Sequence, residues 1–63
     1  MKDLSTQERE CLTLLRQALP NAEIAERMNV PVTKVKALVK SLMHKLDAAN
    51  RTQVMLAAME RDL

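Results

Sequence analysis

The chain has 63 residues, 48% of them apolar, with no glycine, no aromatic residue and two prolines. That length holds one small domain and excludes a catalytic domain beside a regulatory one; the apolar share excludes a disordered chain, and the lack of turn glycines and strand-forming aromatics excludes a sheet, leaving an all-α fold. The net charge of +2 is unevenly placed, with five bases against Asp47 alone over residues 31–51 and −1 on either side, a local excess that suits a polyanionic or acidic partner.

The first helix is expected over residues 6–19. Ser5-Thr6-Gln7-Glu8 has the capping-box spacing, in which the Ser5 hydroxyl accepts from the Glu8 amide and Glu8 reaches back. Cys11, Leu12, Leu14, Leu15, Ala18 and Leu19 then share an arc of about 160°, and Pro20 ends the run by pushing its predecessor out of the α region. Cys11 is the one cysteine; with no partner for a disulfide it fits a reducing compartment and reads as a small buried hydrophobe.

A short second helix is expected over residues 22–28, with Asn21 as N-cap and Glu23 in the first turn, where the helix dipole favours an acid. Ile24, Ala25 and Met28 share a face, and Asn29 supplies the left-handed residue that ends it. Val30 and Pro31 lead into a third helix over 32–46. Its apolar residues Val32, Val35, Leu38, Val39, Leu42, Met43 and Leu46 fall within about 140°. The remaining face carries Thr33, Lys34, Lys36, Ala37, Lys40, Ser41, His44 and Lys45, and no Asp or Glu occurs from Arg27 through Leu46. A short helix, a tight turn and a longer helix with a basic outer face form a helix-turn-helix pattern.

Asn50 caps a fourth helix over 51–61. Val54 to Met59 are six consecutive apolar residues and so point all round the helix, more than one chain of this size can cover. Met55, Leu56 and Met59 are therefore candidates for a contact with a second molecule, while Met28 and Met43 read as core filler.

These pieces together resemble the LuxR-type (GerE-like) helix-turn-helix domain of bacterial transcription regulators, from Leu4 to about Ala58. LSTQERECLTLL is similar to the family's L-T-x-R-E-x-E-V-L, NAEIAERM to N-K-E-I-A-x-x-L, KVKALVKSLMHKL to T-V-K-x-H-V-x-x-I-x-x-K-L, and NRTQ to N-R-x-x-A. The resemblance implies a single domain over 1–63 with four helices. Its third helix would lie in the DNA major groove, the second would hold it against the backbone, and the last would form a homodimer contact. It also implies that Lys36 is the family's near-universal lysine, Lys45 the lysine before the helix end, and that Asn21 and Arg51 occupy family positions. The chain departs from the pattern at Lys34 for Thr, Pro31 for a Ser cap, Ala22 for Lys, Ala18 for Gly and Leu38 for His or another polar residue, with a small Ala37 where base-reading side chains can occur. The charge is kept and the directional hydrogen-bonding groups are thinned out.

Neutralising phosphates releases condensed counterions, for which surface lysines suffice, and a helix has the width of the major groove. The candidate DNA-binding residues are Thr33, Lys34, Lys36, Ala37, Lys40, Ser41, His44, Lys45, Asn21 and Arg51. Lys36 and Lys40, one turn apart, suit a guanine edge or phosphates. Thr33 suits a base edge, a thymine methyl or a phosphate. Lys34 and Lys45 suit phosphates. His44 fits either a phosphate or the helix C-terminus alone. Asn21 is shared between capping and phosphate, and Arg51 between phosphate and bracing the last helix.

Two readings of function remain: a DNA-binding homodimer on a two-half-site operator, or a same-fold module that pairs through its last helix with another regulator and restrains it. An enzyme is not expected, since there is no phosphate-cradling glycine and no CxxC or HExxH spacing; nor is a cofactor or a metal. No apolar run reaches membrane-span length and no leader is read, so a cytoplasmic, nucleoid-associated bacterial protein is expected.

Overall fold

The computed structural model describes residues 4–61, and these form four α-helices without a strand: α1 Thr6–Arg16, α2 Asn21–Met28, α3 Val32–Lys45 and α4 Arg51–Glu60. Lys2, Asp3 and Asp62, counted in the charge balance, lie outside the described residues. The helices pack into a body of 27 × 20 × 18 Å, with α3 against all three others.

Both halves of the α1 capping box are formed. The Glu8 amide donates to the Ser5 hydroxyl at 3.1 Å and the Ser5 amide to Glu8 Oε1 at 2.8 Å. At its other end α1 stops at Arg16, three residues before the expected Leu19. Ala18 takes a left-handed conformation (φ 61°) and its amide returns to the Leu15 carbonyl at 2.8 Å. The apolar spacing runs on to Leu19 because Leu19 still packs on the core, but from outside the helix. Pro20 is then the N-cap of α2, and Asn21 is the first helical residue rather than the cap. A proline suits the place, since a helix's first amides have no intrahelical partner. Pro31 does the same for α3.

All three helix-to-helix turns use a left-handed residue, and none of the three is glycine: Ala18, Asn29 and Asp47. At Asn29 the Val30 amide reaches the Ala25 carbonyl (3.0 Å) and the Asn29 amide that of Glu26 (3.2 Å), a Schellman ending. The Ala48 amide closes the end of α3 on the Met43 carbonyl in the same way. These bonds satisfy carbonyls that a helix end leaves open.

The core is filled by Cys11, Leu12 and Leu15 of α1, Ile24 of α2, Val35 and Leu42 of α3 and Val54 and Ala58 of α4, each almost wholly out of water. Burying each Leu, Ile or Val among them stabilises by about 1.5–3 kcal/mol, which is what holds α3 in place. Val32, expected in this apolar face, is instead 38% exposed. The first turn of α3 stands clear of the packing that closes over Val35.

Candidate nucleic-acid interface

The burial of Val35, Leu38, Val39 and Leu42 on one side of α3 turns the other side outward. Thr33, Lys34, Lys36, Ala37, Lys40 and His44 are all exposed there. None of Lys34, Lys36 and Lys40 is ion-paired among the described residues. Leu38, singled out in the sequence as a departure from a polar residue, is buried, so that departure falls in the core and not on the outer face.

Ser41 and Lys45 lie elsewhere. Both are half-buried and both are turned onto Glu8 of α1, which is only 4% exposed. Lys45 Nζ donates to Glu8 Oε1 at 2.7 Å, and the Ser41 hydroxyl to Oε2 at 2.5 Å. These bonds, led by that from Lys45 and followed by those from Ser41 and the Ser5 amide, outweigh burial and hold the Glu8 carboxyl at a pKa of about 2. The charge of Lys45, in the last turn of α3, is thus compensated inside the domain.

Sequence reasoning missed this cluster. It found Glu8 as half of a capping box, a local role that accounted for the residue fully. The second role depends on partners 33 and 37 positions away. The signal available was the pairing of Ser41 and Lys45, one turn apart, at the edge of the polar arc that borders the core.

Asn21 and Arg51 are brought together at the junction of α1, α2 and α4. Arg51 donates to the Leu19 carbonyl and, at 3.5 Å, to Asn21 Oδ1. The guanidinium ties the start of α4 to the turn before α2, the bracing role weighed for it in the sequence. Cys11 is fully buried, and burial raises the pKa of its thiol against an opposing influence of the Arg51 charge.

On α4, Val54 and Ala58 are buried, Met55 and Ala57 half-buried, and Leu56 and Met59 are 55% and 61% exposed. Leu56 also borders an open depression of about 320 Å³ with Leu46, Ala48 and Ala57. Among the described residues there is no group of His, Cys, Asp or Glu that could hold a metal ion, and no helix is long and apolar enough to cross a membrane.

A short helix, a three-residue turn and a longer helix with an outward cationic face make this a helix-turn-helix domain. The family is shown by its model: "Bacterial regulatory proteins, luxR family" matches residues 2–58, and the chain belongs to that family. It is thus a DNA-binding domain of the LuxR type, a non-catalytic module of bacterial transcription regulation.

Among its relatives is the HTH-type transcriptional regulator YhjB of Escherichia coli K12, 42% identical over 53 residues, which covers 84% of this chain and 26% of that protein. The response regulator protein VraR of Staphylococcus aureus Mu3 is 32% identical over 60 residues, covering 95% of this chain and 29% of VraR. VraR of Staphylococcus saprophyticus gives the same values. The chain therefore spans between a quarter and a third of the length of these relatives. No solved structure gives a significant match.

Proposed function

We propose that this domain binds duplex DNA with α3 in the major groove and does so as a homodimer through α4, one α3 to each half-site of an operator. The observation that carries the reading is the outer face of α3: three exposed lysines, no acid on the helix, and no ion pair to engage them among the described residues. An ordinary solvated helix intersperses charges of both signs. Lys34, Lys36 and Lys40 lie against phosphates or guanine edges, Thr33, Ala37 and His44 face the groove, and Asn21 with Arg51 fixes the approach of α2. Ser41 and Lys45 serve this interface from behind, through Glu8. The homodimer is supported by Leu56 and Met59, two large apolar side chains left in water on one helix.

The test is fluorescence anisotropy of a labelled mixed-sequence duplex across a salt series, with wild type beside Lys36→Ala/Lys40→Ala. The expected result is affinity that falls with salt, with a log–log slope shallower by about two in the double variant. Absence of binding at low salt would exclude the reading.

The exposed α4 face also favours a second one, in which the domain pairs with another regulator and restrains it. Under that reading the lysine variant keeps its activity, and only substitution at Leu56 or Met59 removes it.

A further inference from the structure

At about 100° per residue, the exposed polar and small positions of α3 run from Lys36 and Lys40 on one side, through Thr33, His44 and Ala37, to Lys34 on the other, with the exposed Val32 beyond Lys36. Cations hold the two sides. The middle is held by Thr33 and Ala37, one turn apart, with His44 between them in angle but about two turns beyond Ala37 along the helix.

The polar groups that would read a base edge there are few. The sequence of α3, VTKVKALVKSLMHK, contains no Asn or Gln for the paired bonds that mark adenine, no Asp or Glu to accept from cytosine, and no Arg to fork onto guanine. The Ser41 hydroxyl is spent on Glu8 at 2.5 Å and the Lys45 ammonium on Glu8 at 2.7 Å. What the N-terminal half of α3 presents at its centre is the γ-methyl of Thr33 and the β-methyl of Ala37. Thymine is the base that offers a methyl group to the major groove, and Ala and Thr methyl groups are suited to meet it.

We propose that this domain recognises its half-site chiefly through thymine 5-methyl groups packed against Thr33 and Ala37, with Lys34 on one side and Lys36 and Lys40 on the other holding the flanking phosphates. The inference rests on the placement of α3 in the major groove proposed above, and it sets which base that placement favours. Each methyl contact is expected to contribute about fourfold in affinity.

Uracil differs from thymine only by lacking that methyl, which makes the test direct. Duplexes bound by the domain are selected from a randomised 20-base-pair library, and one enriched duplex is resynthesised with single dT→dU replacements. The expected result is enrichment of thymine within each half-site, with an affinity loss of about fourfold at the replaced positions that face Thr33 or Ala37. Thr33→Ser, which removes the γ-methyl and keeps the hydroxyl, should abolish the loss at one such position, and Ala37→Gly, which removes the β-methyl, at its neighbour. Sites that tolerate uracil throughout, or losses that persist unchanged in both variants, overturn the inference and leave major-groove binding standing. Absence of binding to any duplex at low salt overturns both.

Discussion

The Glu8 carboxylate accepts three hydrogen bonds with two oxygens, from the Ser5 amide, Ser41 and Lys45. Folding lowers its pKa from 4.5 to about 2, so between those values the unfolded chain binds more protons than the folded one. The stability contributed is complete above about pH 4.5 and is lost as the pH falls towards 2. Glu8→Gln should therefore lower stability by about 2 kcal/mol at pH 7, a deficit that shrinks below pH 4.5 and vanishes near pH 2; thermal melts of both proteins across this range measure it. Ala18 is a second case. Its φ of 61° suits glycine better than alanine, and its side chain is exposed. Ala18→Gly should stabilise by about 0.5–1 kcal/mol and raise Tm by about 3–6 °C, where the same change inside a helix would lower it. Both residues stood out in the sequence, one as a cap and one as a departure from glycine. What could not be read was a partner more than thirty positions away or the sign of a dihedral angle.

The helices were legible to the extent that their starts and faces are chemically marked. Ser5 and Asn50 cap α1 and α4 through their own side chains, and the apolar arc of α3 is the buried one from Val35 onward. The end of α1 was not, because Leu19 continues the apolar spacing after the backbone has turned at Ala18. Ser41 and Lys45, read in the sequence as part of the outer face of α3, are turned onto Glu8, since a residue at the border of a polar arc can turn either to solvent or to a neighbouring helix. This has a measurable consequence for the proposed DNA contact. Lys34→Ala should make the salt slope shallower by about one. Lys45→Met should leave the slope as it is and lower the melting temperature, because it strips a buried carboxylate of its cation. A loss of slope in Lys45→Met without a loss of stability would place that ammonium on DNA instead.

At the scale of the whole molecule, α4 is a helix that its own domain covers only in part. Six successive apolar residues announced this in the sequence, and the structure assigns the sides: Val54 and Ala58 inward, Leu56 and Met59 outward. Which molecule covers the outer side lies beyond what one chain can encode in its own packing. Under the homodimer proposal, sedimentation of the wild type should show reversible association as concentration rises, and Met59→Glu should abolish it. Because Met59 is 61% exposed, the variant should melt within about 0.5 kcal/mol of the wild-type stability when both are compared as monomers. A wild type that stays monomeric at high concentration would favour the second reading, a different regulator on α4.

The seclusion of Cys11 gives the molecule an internal clock. Its thiol is the only one in the chain and has no access to solvent, so an alkylating reagent reacts only during the intervals when the four helices part. The rate of alkylation then reports how often they do, with no aromatic chromophore needed in a protein that has none. A ligand that binds only the closed form cuts the rate of this clock to the fraction of domain it leaves unbound, by about a hundredfold at a hundred times its Kd. Any duplex that the domain holds can thus be ranked by how long it keeps one sulfur atom out of reach.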